Sequence, residues 1–110
     1  MSDAAFDRAV DEAMTRYAGA SRTAQGILRG KLRADPVYRE LLHRGIDAAP
    51  RIVDLGCGRG LLLSLILAAR GSRARPSLHG IEIDPAAALV AGRALGDAAT
   101  IVEGDLADEP

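Results

Sequence analysis

The spacing of apolar residues divides the chain into a helical first part and a second part in which strands and helices alternate. Up to residue 48, apolar side chains recur at every third or fourth position, as they do along one face of an amphipathic helix. This pattern predicts one helix after Ser2, a second over residues 22–33, and a third that begins at Asp35-Pro36. Residues 1–48 are therefore interpreted as an N-terminal helical region.

From residue 49 onwards, short apolar runs alternate with apolar helical stretches. The predicted order is strand 51–55, helix 61–70, strand 78–83, helix 86–95 and strand 99–102. Such a βαβαβ order is typical of parallel sheets. The sequence thus predicts an α/β protein whose residues 49–110 form half of a Rossmann-like, doubly wound parallel sheet. The first strand is almost continuously apolar, so we expect it to be buried.

Composition narrows the class of protein. The chain has 110 residues, 48% of them hydrophobic, and a net charge of -1, which does not suit binding to nucleic acid through a broad basic surface. It has a single cysteine, no basic and apolar leader at its start, and no apolar run of about 20 residues. We expect a soluble, cytoplasmic protein with no metal site and no membrane partner.

The candidate chemistry is concentrated in the segment Asp54-Leu55-Gly56-Cys57-Gly58-Arg59-Gly60, between the first predicted strand and the following helix. Glycines at such a turn adopt backbone angles closed to other residues and let a ligand approach the chain closely. This position predicts a nucleotide-like ligand.

The segment IVDLGCGRG resembles the first motif of class I methyltransferases that use S-adenosylmethionine (SAM). The resemblance rests on Asp54, Gly56, Gly58 and Gly60, and it implies that Asp54 faces the amino group of the methionine part of SAM. Cys57 lies inside the same loop and is included among the cofactor-binding residues. The spacing is GxGxG, whereas dehydrogenases that bind dinucleotides have GxGxxG.

Two further matches follow the second and third predicted strands. In Gly80-Ile81-Glu82-Ile83-Asp84, a carboxylate can accept hydrogen bonds from both hydroxyls of a ribose, and the resemblance assigns this role to Glu82. Ile83 is expected to line the adenine. In Val102-Glu103-Gly104-Asp105-Leu106, the resemblance implies that Asp105 accepts a bond from the adenine amine and that Leu106 packs beside the ring.

The resemblance implies a SAM-dependent methyl transfer to an acceptor that the sequence does not identify, with a small molecule slightly preferred. None of the matched positions is assigned as catalytic. The matched part covers only the first three strands of a seven-stranded family fold, so we expect a fragment of a longer enzyme, with self-association through the open edge of the first strand. A fragment of a nicotinamide-dependent oxidoreductase and a non-catalytic SAM-binding module remain as alternatives.

Overall fold

The computed structural model describes residues 1–105, and its helices and strands follow the order predicted from the sequence. The elements are α1 (Asp3–Met14), α2 (Arg22–Ala34), α3 (Pro36–His43), β1 (Arg51–Leu55), α4 (Leu61–Arg70), β2 (Ser77–Glu82), α5 (Pro85–Leu95) and β3 (Thr100–Glu103). None of the helices in this part of the chain is long and apolar enough to cross a membrane.

Side-chain caps determine where four of the helices begin. The hydroxyl oxygens of Ser2 and Ser21 each accept a backbone N–H bond of 3.1 Å in the first turn of α1 and α2. Asp35 and Asp84 do the same for α3 and α5, and in both cases a proline occupies the next position. These caps confirm the helix starts predicted from the sequence.

The three strands form one parallel sheet in the order β1-β2-β3. Register pairs run from Arg51 opposite Ser77 to Leu55 opposite Ile81, and β2 pairs with β3 from His79 opposite Thr100 onwards. Because all strands point the same way, the loops that follow β1, β2 and β3 lie side by side at one edge of the sheet. The expected α/β fold with a parallel sheet is therefore confirmed.

The helices are stacked in two layers on one face of the sheet. Ile52 and Leu78 of the sheet pack into a buried cluster with Leu63, Ile66 and Leu95 from α4 and α5. On the outer side of α4, residues of α1, α2 and α3 form a second buried cluster, which includes Leu61 and Leu65. Helix α4 is thus covered on both sides, as its almost wholly apolar sequence requires.

On the other face of the sheet, which we call the bare face, no helix of residues 1–105 covers the strands. Val53, Leu55 and Val102 point to this face, and their side chains are 58%, 61% and 41% exposed. The expectation of a buried first strand is therefore wrong for three of its five residues, and only the Ile52 side is covered. The sequence of β1 has apolar residues on both faces. This pattern alone does not show whether a second layer of helices covers the second face.

The outer edge of β1 is also unpaired within residues 1–105. Towards β2, the Pro50 carbonyl accepts a bond from Ser77 and the Gly56 N–H donates to Ile81, both at 2.8 Å. Since backbone groups alternate along a strand, the N–H and C=O groups of residues 51, 53 and 55 point away from β2. The same residues thus present both free backbone groups and exposed side chains.

Candidate functional site

The loop between β1 and α4 is an open turn of glycines. Gly56, Gly58 and Gly60 have φ angles of +75°, +56° and +86°, in the left-handed region that residues with a Cβ rarely adopt. A side chain added at Gly56 or Gly58 would meet no protein atom within 4 Å, so the space beside both is open. At Gly60, an added Cβ would come within 2.9 Å of Leu95, because the loop packs closely against α5.

Glu82, at the end of β2, holds the glycine loop in place. Its Oε1 accepts a 2.7 Å hydrogen bond from the Gly58 N–H, and its Oε2 accepts a 2.9 Å bond from the Asp84 N–H. The Asp84 and Gly58 N–H bonds lower the pKa of Glu82, so it is ionised at neutral pH. A carboxylate has about four acceptor positions, so two remain for a ligand.

Asp54, at the end of β1, is half-buried and has no hydrogen-bond donor or cation paired with it among residues 1–105. Burial, and then the nearby negative charge of Glu82, raise the pKa of its carboxyl group. Two carboxylates that interact in this way favour a cationic or hydrogen-bond-donating ligand between them.

A cleft of about 420 Å³ separates the glycine loop from α2 and α3. Asp54, Gly56, Cys57 and Gly58 line one side of it. The opposite side is formed by α2 and α3, with Ile27, Leu28, Lys31, Val37, Tyr38 and Leu41. Its volume lies within the range of small-molecule sites, so the unpaired carboxylate faces a space that a ligand can fill.

Comparison of the chain with protein-family models, curated proteins and solved structures finds no match. What this chain binds is therefore inferred from the geometry of its strand ends.

The structure brings most of the predicted cofactor residues to one region. Glu82 is joined to the cleft through its bond to Gly58, and Ile83 beside it is 62% exposed. The loop after β3 lies against the same strand end, because the Gly104 N–H donates a 2.9 Å bond to the Glu82 carbonyl. Asp105 follows directly and is exposed. Leu106 lies outside the described residues.

Cys57 has a packing role in the loop. Its side chain is buried against Gly80 of β2, where an added Cβ would lie only 2.7 Å from the sulfur. Burial, followed by the charges of Asp54 and Glu82, raises the pKa of this thiol to about 11. The thiol is therefore protonated at neutral pH and a poor nucleophile.

Lys31 and Tyr38 were missed by sequence reasoning, although they line the cleft opposite Asp54. Burial raises the pKa of the Tyr38 phenol, with further contributions from the charges of Asp35 and Asp54, so this ring lies within the electrostatic reach of the unpaired carboxylate. Both residues belong to amphipathic helices, and their spacing in the sequence is the same as that of ordinary core and surface residues. Their place in the cleft becomes visible only when α2 and α3 pack next to the glycine loop.

Proposed function

We propose that this chain is the SAM-binding part of a class I methyltransferase. The observation that carries the proposal is the half-buried Asp54 carboxylate, which has no partner in residues 1–105 and lies beside the open glycine backbone. SAM carries an ammonium and a sulfonium group, both cationic, and a carboxylate in a cleft favours such charges. A dinucleotide would instead bring a pyrophosphate close to two carboxylates, which repel it.

The residues at the three strand ends suit the parts of SAM. Asp54 would accept hydrogen bonds from the ammonium group, and the two remaining acceptor positions of Glu82 would receive the ribose hydroxyls. Ile83 offers an exposed apolar side chain to the adenine, next to Asp105 as the proposed acceptor for its amine. The glycine loop permits close approach because it has no side chains at Gly56 and Gly58.

When bound, SAM would supply a reactive methyl group, because the bond from its positively charged sulfur to the methyl carbon breaks to release a neutral thioether. The role we propose for the residues of this chain is to bind and orient it. Alignment of the methyl group with an acceptor converts a bimolecular step into a pre-organised one, which is the main source of acceleration in such reactions. We assign no catalytic residue and no particular acceptor.

We also propose that the parallel sheet is part of a Rossmann-like fold. A Rossmann-like, doubly wound sheet has a further strand beside the first and helices on both faces. The unpaired edge of β1 and the bare face with Val53 and Leu55 support an incomplete half of this kind. A fragment of a longer enzyme is therefore our proposal for the chain.

Isothermal titration calorimetry of the 110-residue chain tests the function. We expect SAM and its demethylated product, S-adenosylhomocysteine, to bind and NAD to bind far more weakly. Asp54→Asn should weaken SAM binding by about 10- to 100-fold, which corresponds to the loss of a charge-assisted hydrogen bond. Asp7→Asn, at an exposed position of α1, is the matched control and should leave affinity unchanged.

The titration also separates the alternatives. Preferential binding of NAD would overturn the methyltransferase proposal and favour a nicotinamide-dependent oxidoreductase. Equal SAM affinity for the wild type and Asp54→Asn would show that the Asp54 carboxylate does not bind SAM, and the proposal would then be overturned.

A further inference from the structure

A second cleft, of about 390 Å³, lies at the opposite end of the sheet from the glycine loop. It is bounded by α1, the last turn of α4 and residues 71–76, which lead into the start of β2. Among the residues that the structure describes, its lining includes four arginines and one acidic residue, Glu12; the arginines are Arg16, Arg70, Arg73 and Arg75. The acidic groups near these four guanidinium groups determine how much positive charge remains in the cleft.

Within residues 1–105, Arg16 and Arg70 donate hydrogen bonds only to neutral carbonyl groups. Arg16 Nη1 donates a 3.2 Å bond to the Ala94 carbonyl. Arg70 donates from Nε to Ala74 at 2.5 Å and from Nη1 to the carbonyls of Asp47 and Ala49 at 2.7 and 3.3 Å. Neither has a carboxylate within salt-bridge distance in the part of the chain that the structure describes, so both retain uncompensated positive charge.

Arg73 and Arg75 each have one acidic partner. Arg73 Nη2 lies 2.6 Å from Asp47 Oδ2, and Arg75 Nη1 lies 3.5 Å from Asp97 Oδ1. The Arg75 pair is weak, because its two side chains are 62% and 97% exposed and solvent screens their attraction. An anion in the cleft can therefore recruit Arg75 at little cost.

The donors that remain are suited to a tetrahedral anion. A guanidinium group has five N–H donors, and towards the described residues Arg70 uses only its Nε and Nη1 groups, which leaves both Nη2 hydrogens. Arginine forks match phosphate oxygens in spacing and direction. The chain as a whole has a net charge of -1, which does not favour binding to a polynucleotide through a broad basic surface.

We propose that this arginine cleft binds the phosphate groups of a small phosphorylated ligand. The site is separate from the strand ends at which SAM binding is proposed, so the inference does not rest on that function. Phosphate groups of this kind occur in free diphosphates and in nucleic acids, and the experiment must distinguish these two sources.

Calorimetry with inorganic pyrophosphate at low ionic strength tests the proposal on the full chain. We expect saturable binding by the wild type. Arg16→Gln and Arg75→Gln should each lower the affinity by about 5- to 30-fold, because each removes a charged donor. Arg22→Gln, at an exposed position in the first turn of α2, is the matched control and should bind as the wild type does.

Circular dichroism of each variant shows whether its fold is retained, and SAM affinity, measured on the same samples, should be unchanged. The absence of pyrophosphate binding, or equal binding by the wild type and both cleft variants, would overturn the proposal. Binding of a single-stranded RNA 12-mer that is tighter than that of pyrophosphate and equally sensitive to both substitutions would also overturn it, in favour of a nucleic acid.

Discussion

At the scale of single residues, Asp54 is a carboxylate whose position costs stability. Burial and the neighbouring Glu82 disfavour its charged form, and no donor within residues 1–105 compensates for this. Residues of this kind are typical of binding sites, where a ligand supplies the missing partner. The Asp54 side chain therefore lowers the stability of the fold and, in the same position, offers a binding group to a ligand.

This leads to a prediction for the stability of Asp54→Asn. At pH 7 the variant should have a melting temperature equal to or higher than that of the wild type, by roughly 1–4 °C, because a desolvated charge is removed. A raised pKa in the folded state means that protonation of Asp54 stabilises the fold below its unfolded pKa of about 3.9, and this stabilisation is lost as pH rises through the folded value.

The difference in melting temperature between Asp54→Asn and the wild type should accordingly decrease as the pH is lowered from 7 towards about 4. Differential scanning calorimetry at several pH values measures this trend. A variant less stable than the wild type at pH 7 would show that the carboxylate has a stabilising partner.

Gly80 provides a second prediction at this scale. A methyl group at this position would lie 2.7 Å from Cys57 Sγ and 2.9 Å from Ile101 Cδ1, so Gly80→Ala should overpack the space behind the glycine loop. We expect a loss of about 1–3 kcal/mol in the free energy of unfolding.

Gly92→Ala is its control, because Gly92 lies in the interior of α5 with nothing within 4 Å of an added Cβ. This variant should gain roughly 0.5–1 kcal/mol from helix propensity. Urea denaturation measures both changes. If Gly80→Ala were as stable as the wild type, the close packing of β2 against the loop would be refuted.

At the scale of elements, the N-terminal helices support the glycine loop from outside. The Tyr17 hydroxyl, just after α1, donates a 2.9 Å hydrogen bond to the Arg59 carbonyl in the loop. The Ser64 hydroxyl of α4 donates a buried 2.9 Å bond to the Ala13 carbonyl of α1. These two bonds fix α1 to the start of α4 and thereby to the turn that precedes it.

Tyr17→Phe should therefore cost about 0.5–1.5 kcal/mol, the usual net contribution of one hydrogen bond. Tyr38→Phe is the matched control, because no hydrogen bond from the Tyr38 hydroxyl to residues 1–105 is present, and it should be nearly neutral for stability. Chemical denaturation of the two variants gives the comparison. Equal stability of both would mean that the Tyr17 bond contributes nothing to the fold.

The order of the elements and most of their bounds could be predicted from the sequence to within about two residues, because caps such as Asp84 and breakers such as Gly96 are local signals. The end of α1 could not, because its apolar spacing continues to Tyr17 whereas the α-helix ends at Met14. The ends of β1 and β2, with Asp54 and Glu82, could be predicted for the same reason. The bond from Gly58 to Glu82 and the placement of Lys31 in the cleft could not, because both depend on how distant elements pack.

At the scale of the whole molecule, the free edge of β1 and the bare sheet face occur together. Unpaired backbone groups at residues 51, 53 and 55 lie next to the exposed side chains of Val53 and Leu55. Edges of this kind pair with other strands when nothing blocks them, and nothing in residues 1–105 does. The isolated chain should therefore self-associate at high concentration.

Sedimentation velocity with Leu55→Lys tests this expectation, because a charge on an edge strand opposes pairing. We expect the wild type to form dimers or larger species at about 100 μM, and the variant to shift towards monomer. Leu89→Lys, at a similarly exposed position of α5, should not shift it. A monomeric wild type, or equal effects of the two lysines, would contradict this account of the edge.

Amide NMR tests directly the proposal that the ends of three adjacent strands bind one ligand. Titration of ¹⁵N-labelled chain with S-adenosylhomocysteine should shift the glycine amides at these strand ends, namely Gly56, Gly58 and Gly104. Gly71, in the arginine cleft, and Gly96, at the far end of α5, should be unaffected. Unchanged strand-end amides at saturating ligand, or shifts confined to other glycines, would contradict the claim.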